Sequence, residues 1–110
     1  MPLENPTAKI SASATAVPKK TTVKKSFKKA SIAASELVSQ NSNRIGMTLL
    51  NNSEASVLFV DVDRSVYVGD CLVALVPGAY YEFPFDATTA IWGIWDGLDS
   101  GVSIREFLQV

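Results

Sequence analysis

Short apolar segments separated by turn-forming residues restrict the fold of this chain more than any other feature. The segment RIGMTLLN (44–51) has apolar side chains at alternate positions, Ile45, Met47 and Leu49, which is the period of a strand with one buried face. Later apolar runs stop at turn-forming pairs such as Pro77-Gly78. Such segments recur about every ten residues, without a comparable helical segment between them. The sequence therefore predicts an all-β fold, a small antiparallel β-sandwich or barrel.

Charge and composition divide the 110-residue chain into two parts. Residues 1–44 carry eight basic and two acidic residues, a net charge of +6, whereas residues 45–110 carry two basic and nine acidic residues, a net charge of −7. Residues 1–30 contain much Pro, Ala, Ser, Thr and Lys, and they cannot by themselves bury enough apolar surface to offset the entropy of ordering. We predict a basic, extended N-terminal arm at 1–30, which becomes ordered on a partner, and a β-sandwich domain at 31–110.

The conformation of the arm has two interpretations. Large and small apolar residues from Val23 to Leu37 follow intervals of four and three, which permits a short amphipathic helix on a partner. Ser, Thr and β-branched residues are frequent in the same segment, and they favour a strand. We expect the extended form. The predicted partner-binding residues of the arm are its lysines and its one aromatic residue: Lys19, Lys20, Lys24, Lys25, Phe27, Lys28 and Lys29.

Three functions fit these lysines. They can contact an acidic protein lattice, they can form a solvated tail, or they can neutralise phosphates of a nucleic acid without reading bases. We favour protein contact, because the acidic second half of a neighbouring copy could receive the arm.

Aromatic residues are concentrated in the second half of the chain. Several predicted strands there are apolar on both faces, and a domain this small cannot hide so much apolar surface in one core. Each aromatic side chain taken singly could fill the core. As a set, they are the residue types enriched at interfaces. The predicted self-association or partner surface therefore comprises Tyr80, Tyr81, Phe83, Phe85, Trp92 and Trp95.

The sequence offers little for catalysis or metal binding. It has no histidine and one cysteine, so the usual proton-transfer group is missing. Asp61 and Asp63 begin a calcium-loop pattern, but Val66 occupies the position that needs glycine and Leu72 the position of the bidentate Glu. We expect an acidic, solvated loop there. We predict no catalytic residue, no cofactor and no metal, and no apolar run is long enough for a membrane span.

The order of short motifs after residue 30 resembles a known family. Its elements are Ala34-Ser35, Asn43-Arg44 before a strand, Asn51-Asn52-Ser53, Val68-Gly69, Leu75-Val76-Pro77-Gly78, Ala90–Ile94 and Val102–Glu106. They resemble the small β-sandwich structural proteins of tailed bacteriophage virions, which occur as capsid decoration (cement) proteins and as head-fibre or tail-associated modules, often as trimers. The resemblance spans residues 31–110, and the lysine-rich arm and the tryptophan pair lie outside it.

The resemblance implies a protein made in the host cytoplasm and located on the capsid surface of a virion. It implies the major capsid protein or other virion subunits as partners, and a homo-oligomer, with a trimer favoured. We therefore expect a non-enzymatic cement protein that stabilises a phage head from outside through its arm and its self-association. One alternative is a head-fibre or tail-associated adaptor that binds the host or another fibre. Another is a small nucleic-acid-binding protein that uses the lysine-rich arm.

Overall fold

The computed structural model describes residues 20–83 and 88–110 of this chain. Two of the predicted site residues, Lys19 and Phe85, lie outside the described residues. The described part contains eight strands, which are β1 (Thr21–Lys29), β2 (Ser35–Val38), β3 (Arg44–Asn51), β4 (Leu58–Asp61), β5 (Val73–Leu75), β6 (Tyr80–Glu82), β7 (Ile91–Trp95) and β8 (Gly101–Gln109).

These strands form two four-stranded sheets. Sheet one has the order β1-β8-β3-β6 and sheet two the order β2-β7-β4-β5. Every strand pair is antiparallel. The two sheets pack face to face, so the predicted all-β fold is confirmed, and the sandwich rather than the barrel is the form adopted.

The core lies between the sheets and is filled by alternate side chains of the inner strands. Sheet one contributes Met47, Leu49, Val102 and Ile104, and sheet two contributes Leu58, Val60, Ile91 and Trp95. The alternation predicted for β3 holds for Met47 and Leu49 but is wrong for Ile45, which is 49% exposed. The register shifts between Arg44 and Gly46, and such a bulge rotates the side chains that precede it. Arg44 is buried as a result.

Two buried polar residues mark the ends of β3. Arg44 begins the strand, and its Nη2 lies 2.8 Å from Oε2 of Glu106 in β8. Asn51 ends the strand, and its Nδ2 donates to the carbonyl oxygens of Ser56 at 2.9 Å and of Leu75, in sheet two, at 2.8 Å. Each residue satisfies polar groups that would otherwise be buried unpaired.

The first strand changes the predicted division of the chain. Residues 21–29 fall in the predicted arm, yet they form a nine-residue strand that pairs with β8 along its whole length. Gly101 permits this pairing, because a Cβ there would overlap the carbonyl oxygen of Lys28. Backbone hydrogen bonds hold the strand, since none of its side chains is fully buried. The folded unit thus begins at Thr21 rather than at residue 31, and this segment is a strand rather than a helix.

Candidate binding surfaces

The lysines of β1 are all exposed, and they divide between the two faces of sheet one. In an antiparallel pair, residues directly opposite each other point to the same face. Lys24 lies opposite Glu106 and Lys28 opposite Val102, both of which point inward. Lys25, Phe27 and Lys29 alternate with them and point to the outer face.

The outer face of sheet one combines basic and apolar side chains. Val23 lies opposite Phe107, and Phe27 lies opposite Ser103, in a row that continues through Leu50 to Tyr80. Phe27 is 53% exposed and Tyr80 is 60% exposed. We call this surface the basic sheet face and define it by Val23, Lys25, Phe27, Lys29, Leu50, Tyr80, Arg105 and Phe107.

Two cations stand side by side on the basic sheet face. Lys25 lies directly opposite Arg105, and like charges at this separation repel each other. Within residues 20–83 and 88–110, neither forms an ion pair with a carboxylate. The carboxylate in the same cross-strand row is Glu82, which Thr48 separates from Arg105. The repulsion makes this part of the face a favourable position for an anionic group of a partner.

β1 also has a free edge. The carbonyl oxygen of Lys20 accepts from the N–H of Val110, and the N–H of Ala30 donates to the carbonyl oxygen of Ser100. Even-numbered positions therefore bond to β8, and in an antiparallel ladder the odd-numbered groups point the other way. No described strand lies along that side of β1. The edge presents a row of donors and acceptors to which an extended segment of a partner can pair.

Two of the predicted interface aromatics lie in the core, which corrects the prediction that they form a surface. Trp95 is 1% exposed and Phe83 is 6% exposed, and both belong to the buried cluster. Tyr81 packs partly against that cluster, with its ring edge-on to Phe83 at a centroid distance of 5.1 Å. Tyr81 in β6, Phe83 directly after β6 and Trp95 in β7 all contribute large rings to the core side of the sheets.

The other two described aromatics are at the surface, on opposite sides of the sandwich. Tyr80 belongs to the basic sheet face, whereas Trp92 lies on the outer face of sheet two, opposite Asp61 of β4. The guanidinium carbon of Arg64 lies 5.7 Å from the centre of the Trp92 ring, at a distance typical of a cation–π contact. The predicted aromatic set therefore does not form one surface.

The connection between β4 and β5 is a surface that the sequence analysis did not identify as apolar. We call residues 61–72 the acidic loop; it contains Asp61, Asp63 and Asp70 against Arg64. Because Arg64 covers Trp92, the loop lies against the outer face of sheet two. Val66 is buried beneath it. Four further apolar side chains of the loop are exposed, namely Val62, Tyr67, Val68 and Leu72.

The acidic loop sets the environment of the single cysteine. Burial raises the pKa of the Cys71 thiol, and the charges of Asp61 and Asp70 raise it further. A raised pKa leaves little thiolate near neutral pH, and the thiolate is the reactive form of cysteine. In the described part of the chain, no group of three acidic, His or Cys side chains is arranged to hold a metal ion. Nor does that part contain a helix with the length and apolarity needed to cross a membrane.

One end of the sandwich is closed by a carboxylate. Asp99 Oδ2 accepts from the backbone N–H groups of Glu54 at 2.7 Å and Ala55 at 3.1 Å, and Oδ1 accepts from the hydroxyl of Ser56. The hydrogen bond from Ser56, followed by those from the backbone, lowers the pKa of Asp99. The donors are already occupied by this side chain, so this end of the domain is a structural junction.

Comparison with known protein families, curated proteins and solved structures finds no match for the chain. The features of the described residues that bear on function are two exposed surfaces, the basic sheet face with the edge of β1 and the acidic loop.

Proposed function

We propose that this chain is a structural subunit of a phage virion, a capsid decoration (cement) protein that binds the outside of the head as a homo-oligomer, with a trimer favoured. It has no catalytic task in this proposal. The observation that carries it is the position of β1. A basic strand with a free edge, formed by residues 21–29 of the predicted arm, lies at the border of the sandwich.

The positions of the family-like motifs support a structural role. Arg44 and Glu106, one from each of two motifs, form the buried ion pair. Asn51 joins the sheets, and Gly78 has the positive φ of 80° that a turn requires. These motifs therefore specify the scaffold, and binding is left to the faces and loops around it.

Attachment follows from the chemistry of the β1 edge. An extended segment of a shell subunit can pair with the odd-numbered backbone groups of β1, while its carboxylates meet the lysines on either side. If the residues before β1 contact a neighbouring shell subunit, one copy bridges the junction. Separation of the two shell subunits then breaks both sets of contacts, which raises the cost of opening a shell under pressure from packed DNA.

The test is co-sedimentation of the purified full-length protein with heads that lack it. We expect Lys24→Gln with Lys28→Gln, and separately Lys25→Gln with Lys29→Gln, to weaken binding at least tenfold. A chain that starts at residue 20 retains every described strand, so it reports the contribution of residues 1–19 without removing β1. Undiminished binding by both lysine variants would refute attachment through β1.

The alternative role as a head-fibre or tail-associated adaptor has support from the acidic loop, whose exposed Tyr67 and Val68 could contact another fibre or the host. Copy number separates the two roles. A cement protein covers the whole shell with on the order of hundreds of copies, whereas an adaptor at a symmetry axis is present in about a dozen or fewer. Quantitative mass spectrometry of purified particles measures this number directly.

The nucleic-acid alternative rests on Phe27 and Phe107, which are exposed beside Lys25 and Arg105 on the basic sheet face. Aromatic and basic side chains on one sheet face can stack bases and neutralise phosphates. This function requires steeply salt-dependent DNA binding by the isolated chain. No binding at low salt would exclude it.

A further inference from the structure

The two outer faces of the sandwich carry opposite charge. We propose that copies of this chain associate directionally, with the acidic loop of one copy docked on the basic sheet face of the next. This inference deepens the self-association part of the proposed function. It concerns the isolated protein, so failure to bind phage heads would leave it standing.

The basic sheet face supplies the receiving surface. Lys25 and Arg105 stand opposite each other without a carboxylate ion-pair partner among the described residues, and Lys29 lies on the same face. An approaching carboxylate relieves the repulsion of the pair, so the gain exceeds that of a single exposed ion pair. Phe27 and Tyr80 lie in the same cross-strand row and are more than half exposed.

The acidic loop supplies the complementary surface. Asp63 and Asp70 are exposed, and they stand among exposed apolar side chains, including Tyr67 and Val68. The loop is held in place by the Arg64–Trp92 contact and by the N–H of Leu72, which donates to the carbonyl oxygen of Val60 at 2.8 Å. A loop fixed in this way loses little conformational entropy when it binds.

Charge complementarity selects a second copy as the occupant. Contact between two basic sheet faces, or between two acidic loops, would bring like charges together and is disfavoured. A nucleic acid would neutralise Lys25 and Arg105 but would not bury the apolar side chains of the acidic loop. Contact between the loop and the basic sheet face satisfies both charges and both apolar surfaces. Such a heterologous contact closes into a ring, for instance a trimer, or continues as a filament.

The experiment compares two full-length variants by analytical ultracentrifugation. Variant one carries Lys25→Glu with Lys29→Glu and therefore has a disabled basic sheet face and an intact loop. Variant two carries Asp63→Asn, Val68→Ser and Asp70→Asn, so its loop is disabled without a gain of positive charge that could pair with the glutamates of variant one, and its basic sheet face is intact. We expect the wild type to form oligomers, each variant alone to be monomeric, and an equimolar mixture to form one-to-one dimers. The mixture stops at dimers because each variant retains one functional surface.

Matched controls separate the contact from general charge effects. Lys20→Glu with Lys28→Glu makes the same change in net charge on the other face of the same segment, and it should leave the oligomer intact. Phe27→Ser disables the basic sheet face without a change in charge and should weaken association at least tenfold. Circular dichroism verifies that each variant retains its β structure.

Three results would overturn the inference: a wild type that stays monomeric at high micromolar concentration, undiminished association of either variant alone, or a mixture that remains monomeric. A fluorescent oligothymidylate is titrated in parallel. Binding that Lys25→Glu with Lys29→Glu abolishes, by a chain that does not self-associate, would assign the basic sheet face to single-stranded nucleic acid instead.

Discussion

Arg44 and Glu106 form a buried ion pair that ties β3 to β8 and reaches the neighbouring connections. Nη2 of Arg44 lies 2.8 Å from Oε2 of Glu106, and Nε donates to the same oxygen at 2.9 Å. Nη1 donates to the carbonyl oxygen of Thr89 at 2.9 Å. A second backbone carbonyl, that of Ser39, accepts from Nη2. Both side chains are almost completely withdrawn from solvent.

Removal of one partner of this pair should be severe. Glu106→Ala leaves a buried guanidinium without its counter-charge, and we expect the free energy of unfolding to fall by about 3–5 kcal/mol, as measured by urea denaturation. The double variant Arg44→Met with Glu106→Leu removes both charges and should be less destabilising than the sum of the two single changes. A loss of unfolding free energy in the double variant that equals or exceeds the sum of the two single losses would contradict this account.

The contribution of Asn51 to stability should depend on the hydrogen bonds of its side-chain amide. Asn51→Leu removes both Nδ2 donors and the Oδ1 acceptor, so it leaves the carbonyl oxygens of Ser56 and Leu75 and the N–H of Ser53 without these partners. Each unpaired group costs about 1–3 kcal/mol, and thermal unfolding followed by circular dichroism measures the sum. Asn52→Ala is the control, since Asn52 is exposed and its side chain bonds only to the hydroxyl of Ser103 among the described residues.

Asp99 should give the domain a defined dependence on acid. Its pKa is lowered in the folded chain by the Ser56 hydroxyl and by backbone N–H groups, so the folded state favours the carboxylate more than the unfolded state does. The resulting stability is complete above the unfolded pKa of about 3.9 and is lost as the pH falls through the lower, folded pKa. We expect Asp99→Asn to be less stable than the wild type at pH 7. The difference should shrink below about pH 4, and a constant difference would argue against it.

The docking of β1 should depend on Gly101. Gly101→Ala places a Cβ against the carbonyl oxygen of Lys28, so the end of β1 must move away from β8. We expect a loss of about 1–3 kcal/mol in the free energy of unfolding, as for other overpacked sites, and faster tryptic cleavage after the lysines of β1. Gly46→Ala is the matched control in the same sheet, because its Cβ would meet only the Phe107 ring, at an ordinary 3.7 Å and beyond.

The repulsion between Lys25 and Arg105 should be visible in the isolated fold. Lys25→Glu turns a pair of like charges into an ion pair, and we expect a small rise in melting temperature that disappears at high salt. Lys29→Glu should have no such effect, since Lys29 lies opposite Gly101. A rise of equal size in both variants would show that the effect is not specific to the pair.

The fold class could be predicted because its signal is local: alternate apolar positions and turn pairs define the inner strands whatever their partners. The strand β1 could not be recognised as part of the domain. Its composition predicts little apolar burial, which suggested an arm outside the core, whereas β1 is held mainly by backbone hydrogen bonds to β8. The bulge at Ile45 arises from pairing with β8 and leaves no signature in the segment itself.

The prediction of a single aromatic surface was wrong, and the spacing of the two tryptophans in the sequence already shows why. Trp92 and Trp95 are three residues apart in one strand, so their side chains must point to opposite faces, and only one can join a given surface. The sequence predicts an acidic loop after Asp61 and Asp63 but does not identify the exposed apolar side chains that the loop carries. The loop has an isolated bridge between Tyr67 and Asp70, and the side chains of Tyr67 and Val68 on this turn are exposed.

The pairing of β1 with β8 determines how the domain responds to mechanical load. Lys20, just before β1, and Val110, just after β8, are joined by a hydrogen bond. A force that pulls Lys20 away from Val110 therefore loads one hydrogen-bonded pair at a time and peels β1 from the sheet. A force along the axis of β1, with the sheet held in place, loads all pairs at once and must shear them together. The resistance of β1 to detachment from β8 is therefore low for a peeling force and high for a force along the strand. The orientation of a bound partner decides which of these two forces it applies.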